Sequence, residues 1–552
     1  MTKIRLVFFF FAVLFVLIII KLFYLQILSP FSSATNYLNL SKLVSQRGKI
    51  FDRNMQPLVL NQPSYLLYVE PKKVQDKNRL VDKLDNLLNI GKATLEAEID
   101  QKKDWVAIAS GLSTEKKDQI TKLNENALGF NEGSKRYYPE ASLAAQLLGF
   151  VGKNSNGDDT GYLGIEGYYD KDLVGLSGVI KAERDLLGRP ILLGDQEKIE
   201  SQNGRNFVLT IDKSVQKIIK EKLLKGMEAY KAKAGCVIIA DPYSLEILGL
   251  SCLPDYDPYK YYLFSENEFS DQAISSLYEP GSAFKPLVMS AALNENKVKP
   301  DDVYDEQGPV QIGEYQIKTW DNKYQGKITM TKILEKSSNV GMVYVGQKLG
   351  NGNLYKYLQK YGFGENTEID LQGEVAGYLK PKNQWYPIDY STVTFGQGIA
   401  VTPIQMIKAF SAIINGGKLM KPHIVKQIIY DNDVKNIDPE VEANVISEKT
   451  SETIKNMLVA TVEHGEYKWA RPPRYKIGGK TGTAQIPLKG HYDPSKTIAT
   501  FIGFAPADKP KFIALVMFKE PQSSIYGSET AAPLFFEIAK ELFVYYNIPP
   551  QQ

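Results

Sequence analysis

The stretch Glu279-Pro280-Gly281-Ser282-Ala283-Phe284-Lys285 opens a series of three short motifs along the chain. Ser337-Ser338-Asn339 is the second motif, and Lys480-Thr481-Gly482-Thr483-Ala484 is the third. A single S-x-x-K match means little, because residue frequencies of about 7% produce a few matches by chance. Ser113 to Lys116 is another such match, in a charged segment. The ordered set of three, rather than any one motif, therefore decides the fold and the chemistry.

The first motif predicts a serine beside a lysine. Pro280-Gly281 is a helix-start signal, so Ser282 is expected near the N-terminal end of a helix. Ser282 and Lys285 are then three residues apart on one face, where the amine can reach the hydroxyl. Apolar neighbours from Phe284 to Val288 disfavour the charged amine and lower its pKa. A neutral amine can accept the hydroxyl proton and so activate the serine.

The second motif predicts a proton relay and a substrate contact. Ser337 and Asn339 flank Ser338 just before an apolar run. Their side chains can pass a proton to a leaving amine and bind a substrate amide. Taken alone, the same residues also fit a helix cap or a turn.

The third motif predicts a glycine-rich edge strand. Gly478, Gly479 and Gly482 would let a substrate backbone approach closely and pair as an added strand. Lys480 would supply positive charge, and the hydroxyls of Thr481 and Thr483 can bind a carboxylate. In isolation this motif also fits an ordinary glycine-rich strand end.

Composition excludes several other classes of protein. The chain has 552 residues, which predicts two to four units, and its formal net charge is only +3. A nucleic-acid binder would normally show a strongly basic domain. No G-x-S-x-G or H-E-x-x-H motif occurs, so neither an α/β-hydrolase nor a zinc protease is predicted. Cys236 and Cys252 could meet on neighbouring strands, but two free thiols are the favoured prediction.

The N-terminus predicts a membrane anchor. An apolar run extends from Leu6 to Ile20 and resumes from Leu22 to Leu28. A bilayer requires about 20 mostly apolar residues. Lys3 and Arg5 precede the run, so the positive-inside bias places the N-terminus in the cytoplasm and the rest outside. No A-x-A-like cleavage site follows, so we predict a retained single-pass anchor in the cytoplasmic (inner) membrane rather than a signal peptide.

The remaining chain divides into two predicted parts after the cytoplasmic tip and anchor at 1–28. Residues 29–204 are expected to hold a juxtamembrane linker, at about 29–45, and a small α/β unit with surface helices between 72 and 130. Residues 205–552 are expected to form the catalytic domain. Its patterns predict a strand, a helix, a hairpin, a second hairpin and a final helix, at Phe207–Asp212, Ser214–Tyr230, Cys236–Leu250, Thr500–Phe518 and Ala531–Tyr545. Strands at both ends with helices between them predict an α/β sandwich.

The three motifs and their order resemble those of class B penicillin-binding proteins. S-x-x-K, an S-x-N-type motif and K-T-G are an established signature of penicillin-binding proteins and class A β-lactamases. Further stretches resemble the family's non-catalytic pedestal region, namely Arg47-Gly48 with Asp52-Arg53, Arg136 with Tyr138-Pro139, and Gly161–Glu166. The likeness covers almost the whole chain. It implies an α/β (α+β) fold: a transmembrane helix, a small dimerisation-type pedestal domain, and a transpeptidase domain with a β-lactamase-like antiparallel sheet flanked by helices.

The resemblance also implies residue roles in a peptidoglycan D,D-transpeptidase. Ser282 would be the acylated nucleophile and Lys285 the general base, while Ser337, Asn339 and Lys480 would assist proton transfer and substrate binding. Backbone N–H groups of Ser282 and Thr483 would form the oxyanion hole. Ser282 would attack the D-Ala-D-Ala bond of a stem peptide, and an amine of a neighbouring stem would then take the acyl group. β-Lactams would acylate the same serine, and no metal or organic cofactor is implied.

Within the family, Thr394–Pro403 and the tail from Phe501 to Pro549 resemble division-type (septal) members more than elongation-type members. No glycosyltransferase region fits before the catalytic domain, so glycan-polymerising and other division or elongation membrane proteins are the implied partners. Met55 and Leu245 occupy places where the family usually has glycine, which puts the local turns in question. The alternatives are an elongation-type transpeptidase, a D,D-carboxypeptidase or β-lactamase that uses water, and a non-catalytic division scaffold.

Overall fold

The computed structural model describes residues 2–24, 38–43, 45–100, 102–183, 196–488 and 491–550. Within these ranges, the α-helices are α1 Thr2–Phe23, α2 Lys77–Leu88, α3 Lys92–Glu98, α4 Thr114–Thr121, α5 Ala145–Leu148, α6 Gly164–Tyr168, α7 Asp170–Val174, α8 Lys213–Tyr230, α9 Glu266–Phe269, α10 Gln272–Ser275, α11 Lys285–Asn294, α12 Met330–Glu335, α13 Asn339–Leu349, α14 Asn351–Lys360, α15 Pro387–Thr392, α16 Pro403–Ile414, α17 Glu448–His464 and α18 Ala531–Tyr545.

The strands in the same ranges are β1 Leu38–Leu43, β2 Ile50–Phe51, β3 Pro57–Val69, β4 Val106–Leu112, β5 Leu128–Tyr137, β6 Phe150–Lys153, β7 Asp159–Tyr162, β8 Gly178–Glu183, β9 Gln196–Ile199, β10 Asn206–Leu209, β11 Ala234–Ala240, β12 Ile247–Leu253, β13 Val303–Glu306, β14 Val310–Ile312, β15 Tyr315–Ile317, β16 Gly326–Thr329, β17 Lys418–Met420, β18 Val425–Tyr430, β19 Asp433–Asn436, β20 Val441–Asn444, β21 Gly478–Leu488, β22 His491–Ala505 and β23 Phe512–Lys519.

Helix α1 carries the predicted anchor. Its part from Arg5 to Phe23 is long and apolar enough to cross a membrane, and its side chains are exposed throughout. A helix without a polar face and without protein packing fits a lipid environment, where the backbone bonds are satisfied within the helix. The predicted apolar residues 25–28, and most of the predicted linker at 29–45, lie outside the described residues.

One compact unit comprises residues 1–48, 63–135 and 174–205. Helices α2, α3 and α4 belong to it, which confirms the surface helices predicted between 72 and 130. Leu80 and Leu84 bury the apolar face of α2 in a small core that also contains Leu67 and Val106. Strands β1, β8 and β9 form a separate antiparallel sheet in this unit. The extra S-x-x-K match is structural here, because Ser113 caps α4 by accepting a hydrogen bond from the backbone N–H of residue 116.

The second compact unit comprises residues 49–62, 136–173 and 206–552. Its main sheet is antiparallel, with the strand order β12-β11-β23-β22-β21. Side chains alternate between the two faces of a strand, and both faces of this sheet are buried. Val237 and Ile239 of β11 share a core with α8 and α18, whereas Cys236 and Ile238 share the larger core with α11 and α16. The sheet flanked by helices confirms the predicted α/β sandwich.

The hairpin β11–β12 corrects the prediction for the cysteines. Cys236 and Cys252 lie directly opposite each other in its register, with Cα atoms 4.1 Å apart, and they form a disulfide. The prediction of two free thiols was therefore wrong. A register shift between Ile239 and Ala240 sets this pairing. One residue of slip moves every side chain to the other face, so the bulge decides which residue Cys236 meets.

Two turns keep a backbone conformation that favours glycine although other residues occupy them. Met55 has φ of 62° and Leu245 has φ of 56°. Met55 follows β2 and is exposed, whereas Leu245 precedes β12 and is fully buried. Both turns that the sequence put in question are therefore formed. Each has backbone strain, because a residue with a Cβ adopts the left-handed conformation.

Candidate active site

Ser282 lies in a short 3-10 turn, Gly281–Phe284, that leads directly into α11. The predicted helix start is confirmed in this form. Gly281 has φ of 55°, and its backbone N–H donates to the carbonyl oxygen of Gly396 at 3.0 Å. A side chain would be strained at such a φ, so glycine permits the turn that places Ser282, half-buried, at the mouth of a cleft.

Lys285 is fully buried at the start of α11. Its Nζ donates to the Ser337 carbonyl oxygen at 2.5 Å and to Asn339 Oδ1 at 2.8 Å, and lies 3.2 Å from Ser337 Oγ. Burial lowers the pKa of Lys285 well below its usual value, and the neighbouring charge of Lys480 lowers it further. The predicted depression is confirmed in direction. The hydrogen bonds of this amine run to the second motif rather than to Ser282.

The second motif forms the tight loop between α12 and α13. Ser337 has φ of 53°, and Ser338 is the N-cap of α13, where its Oγ accepts from the N–H of Gly341 at 2.8 Å. Ser338 also donates a hydrogen bond to the buried carboxylate of Glu306. This loop points the side chains of Ser337 and Asn339 toward the cleft.

The third motif lies on β21, at the edge of the main sheet as predicted. Gly482 packs so closely that a Cβ there would lie 2.3 Å from Thr500 Oγ1 and 2.8 Å from the Pro280 carbonyl oxygen. Only glycine lets the edge strand meet the turn that carries Ser282. The hydroxyl of Thr483 accepts from the N–H of Gly527 at 3.1 Å, which anchors the strand to the loop before α18.

Lys480 is the second buried amine of the site. Its Nζ lies 3.1 Å from Ser337 Oγ and also donates to the carbonyl oxygen and hydroxyl of Thr481. Burial lowers the pKa of Lys480 to about 7, and the carboxylate of Glu466 opposes that shift. Ser337 Oγ is therefore shared by the amines of Lys285 and Lys480.

The cleft that collects these groups has a volume of about 300 Å³. The predicted site residues that line it are Ser282, Ser337, Asn339, Thr481 and Thr483. Lys285, Lys480 and Gly482 lie just behind them, through the contacts given above.

Sequence reasoning missed several residues of the cleft. Trp320 and Tyr526 line it and make an edge-to-face contact, with ring centroids 5.8 Å apart. Glu466 and Gln485 line it as well. Trp320 and Tyr526 are far apart in sequence and belong to no motif, so no local pattern signals them. Gln485 directly follows the third motif, and strand alternation along β21 could have indicated it.

Comparison with known proteins gives two family matches. Residues 42–209 match the penicillin-binding protein dimerisation domain, and residues 235–540 match the penicillin binding protein transpeptidase domain. Stage V sporulation protein D of Bacillus subtilis (strain 168) is 34% identical over 517 residues, covering 92% of this chain and 79% of that protein. Peptidoglycan D,D-transpeptidase FtsI of Escherichia coli (strain K12) is 30% identical over 543 residues, covering 96% and 89%. The crystal structure of penicillin binding protein 2X from Streptococcus thermophilus shares the fold, with a TM-score of 0.78 at 24% identity, covering 92% of this chain and 80% of that one.

Proposed function

This chain belongs to the class B penicillin-binding proteins, a family of serine-type peptidoglycan transpeptidases, and we propose that Ser282 is its acylated nucleophile. One observation carries the proposal. Ser337 Oγ lies within hydrogen-bond distance of Lys285 and of Lys480, in the cleft that Ser282 lines. The three motifs therefore meet at one cleft although they are far apart in sequence, which supports the proposal.

In the proposed first step, Ser282 Oγ bonds to the carbonyl carbon of the penultimate D-alanine of a stem peptide. Its proton passes to the neutral amine of Lys285, the form that the lowered pKa of this buried amine favours. The carbonyl electrons move to the oxygen, and the N–H groups of Ser282 and Thr483 stabilise the oxyanion. The turn before Ser282 lies close to the third-motif strand, because a Cβ on Gly281 would be 3.0 Å from the Thr483 carbonyl oxygen.

Collapse of the oxyanion breaks the carbon–nitrogen bond and releases D-alanine. The leaving nitrogen takes a proton from Lys285 through the hydroxyl of Ser337, which lies 3.2 Å from that amine. Lys480 in its charged form, with the hydroxyls of Thr481 and Thr483, binds the terminal carboxylate of the stem. Asn339 binds the substrate amide.

In the second step, an amine of a neighbouring stem attacks the ester carbon of acyl-Ser282. The amine loses a proton to Lys285 along the reverse path, the ester bond breaks, and Ser282 Oγ regains its proton. A new peptide bond joins the two stems. β-Lactams acylate Ser282 by opening of their ring amide.

The chain's N-terminal helix makes it a candidate for a single-pass protein of the cytoplasmic membrane. We propose that its N-terminus lies in the cytoplasm and its catalytic domain outside, because Lys3 and Arg5 precede the apolar segment. The division into an anchor at 1–28, a pedestal at 29–204 and a transpeptidase domain at 205–552 is part of this proposal. Mature protein whose sequence began beyond Leu28 would show that the anchor is removed.

We further propose that this transpeptidase acts at the division septum, with a glycan-polymerising membrane protein as partner. The likeness of Thr394–Pro403 to division-type members supports this role, and the relatives above include one named for sporulation and one named as the transpeptidase FtsI. A fluorescent fusion should concentrate at midcell. An even distribution along the lateral wall would support the elongation role instead.

The test of the nucleophile uses the full-length protein in detergent and a labelled penicillin. Intact mass should show one adduct that maps to Ser282, and the Ser282→Ala variant should show none. Ser113→Ala, which alters the other S-x-x-K match, should be labelled like the wild type. A folded wild-type protein without an adduct would favour the scaffold alternative, as would full complementation by Ser282→Ala in cells.

The acceptor is tested with a stem pentapeptide as acyl donor and an amine as acyl acceptor. Cross-linked product together with released D-alanine is expected. Free tetrapeptide as the sole product would identify a D,D-carboxypeptidase.

A further inference from the structure

A buried acidic residue stands behind the second motif without belonging to any motif. Glu306 ends strand β13 and is 1% exposed. One of its carboxylate oxygens accepts from the hydroxyl of Ser338, and the other accepts from the backbone N–H of Gln325 at 3.1 Å. Both oxygens act as acceptors, as in an ionised carboxylate. A buried charge is costly in free energy unless such hydrogen bonds satisfy it. The question is therefore what this buried carboxylate does for the site.

The contact reaches the reaction centre through one residue. Ser338 stands between Ser337 and Asn339, and both of these neighbours contact the amine of Lys285. Ser337 has φ of 53°, a conformation that residues with a Cβ rarely adopt without support. Glu306 holds the middle residue of that strained loop, and therefore fixes where the two flanking side chains lie.

The strand that carries Glu306 is itself held against the helix that follows the loop. Tyr304 of β13 stacks on Tyr344 of α13, with ring centroids 4.5 Å apart. Glu306 also pairs with Gly326 in the register of β13 with β16. These two contacts hold the backbone that carries the Glu306 carboxylate in place.

We propose that Glu306 is a positioning residue for the transpeptidase reaction, which fixes through Ser338 the loop that presents Ser337 and Asn339 to Lys285 and Lys480. This inference rests on the proposed function of Ser282. Glu306 is not among the residues that line the cleft, so its effect is expected to pass through Ser338. It also contributes negative charge near Lys285, where the other charged group is Lys480 of β21.

An ordinary helix cap would not produce the same effects. The cap of α13 is the bond from the Gly341 N–H to Ser338 Oγ, and it survives removal of Glu306. A Glu306→Ala variant therefore tests the positioning role without removing the cap. In Glu306→Gln, the amide oxygen can accept from Gln325 and the amide nitrogen can donate to Ser338 Oγ, so the geometry is kept while the charge is lost.

The experiment measures the second-order rate of acylation by a fluorescent penicillin from acid to alkaline pH, on full-length protein in detergent. Glu306→Ala should react at least about tenfold more slowly, because a small misplacement of catalytic groups costs up to about 100-fold in rate. Glu306→Gln should keep most of the plateau rate. Its acid limb should move to lower pH, because loss of the negative charge makes Lys285 easier to deprotonate.

Asp305→Asn is the matched control, since it removes a carboxylate from the neighbouring, exposed position of the same strand. It should react like the wild type. The double variant Glu306→Ala with Ser338→Ala should be no slower than the slower single variant, because both remove the same contact. If Glu306→Ala does not fold, Glu306→Asp takes its place, because the shorter carboxylate leaves the cap of α13 intact but is drawn back from Ser338.

Two results would overturn the inference while leaving the function intact. One is an active wild type with Glu306→Ala equally fast. The other is a double variant slowed by the product of the two single effects, which would show that Glu306 does not act through Ser338. A folded wild type that is never acylated would overturn the proposed function, and this inference with it.

Discussion

The carbonyl oxygen of Gly281 lies so close to Gly396 that a Cβ on residue 396 would be only 2.2 Å from it. In return, the N–H of Gly281 donates to the Gly396 carbonyl oxygen. The turn that carries the proposed nucleophile is therefore shaped by a segment more than a hundred residues further along the chain.

Gly396→Ala should displace the Ser282 turn and slow penicillin acylation by about tenfold to a hundredfold, since misplacement of a reacting group is costly. Gly350→Ala is the control. Gly350 has φ of 84°, close to the 80° of Gly396, but a Cβ there would meet no atom within 4 Å. With ψ of 144° at Gly350 against 28° at Gly396, an alanine at 350 carries at least as much backbone strain but meets no clash, so its acylation rate should remain near that of the wild type. Equal slowing of both variants would refute the argument.

Binding of a carboxylate-bearing β-lactam should depend on the protonation of Lys480. The amine is charged below its pKa of about 7 and loses that charge as the pH rises through this value. The concentration of β-lactam that gives half-maximal acylation should therefore increase above neutral pH. Glu466→Gln removes a charge that raises this pKa, so the increase should begin at lower pH.

Glu463→Gln is the control for Glu466, because Glu463 lies near the end of α17 and pairs with Arg471 at 3.7 Å. Glu463→Gln should not change how the half-maximal β-lactam concentration depends on pH. A half-maximal concentration that does not change with pH in the wild type would contradict a charged Lys480 as the carboxylate ligand.

The two left-handed turns predict opposite effects of the same substitution. Met55→Gly should relieve about 1–2 kcal/mol of backbone strain and lose about 0.5–1 kcal/mol to chain entropy, for a small net gain in stability. Leu245→Gly relieves the same strain but removes a fully buried side chain, which costs about 2–5 kcal/mol. The unfolding temperature should therefore rise slightly for Met55→Gly and fall clearly for Leu245→Gly. A fall in both would show that Met55 makes a contact worth more than its strain.

The disulfide should stabilise the catalytic unit. It closes a loop with a sequence separation of 16, for which the entropy of the unfolded chain predicts about 3 kcal/mol. Cys236→Ala with Cys252→Ala should lower the unfolding temperature. In the wild-type protein, alkylation without prior reduction should modify neither cysteine, as measured by intact mass. Modification of both cysteines would show that they are free thiols.

Local patterns predicted the elements of the catalytic unit. The helices at 214–230 and 531–545 and the two hairpins follow from periodicity, because each element buries its own apolar face. The S-x-x-K motif placed Ser282 and Lys285 correctly at a helix start. The glycines of the third motif indicated an edge strand, and the structure has one.

Long-range contacts could not be predicted in the same way. Glu306 and Ser338 are 32 residues apart, and nothing in either segment signals their hydrogen bond. The cysteines were misjudged because their pairing depends on one bulge between Ile239 and Ala240, which no propensity encodes. Glu466 is acidic in a turn like many solvated residues, and only the fold brings it to the cleft.

The hydroxyl of Ser337, held between the amines of Lys285 and Lys480, also makes the site sensitive to its total charge. Two buried ammonium groups repel each other, so before substrate binds at most one of them is favoured. In the proposed acylation step, the Ser282 proton moves onto Lys285 and creates the second, and a substrate carboxylate beside Lys480 would offset that cost. A peptide without a terminal negative charge would then fail to be activated as well as to bind. On the proposed mechanism, discrimination of chain ends from internal peptide bonds would thus arise in the chemical step itself.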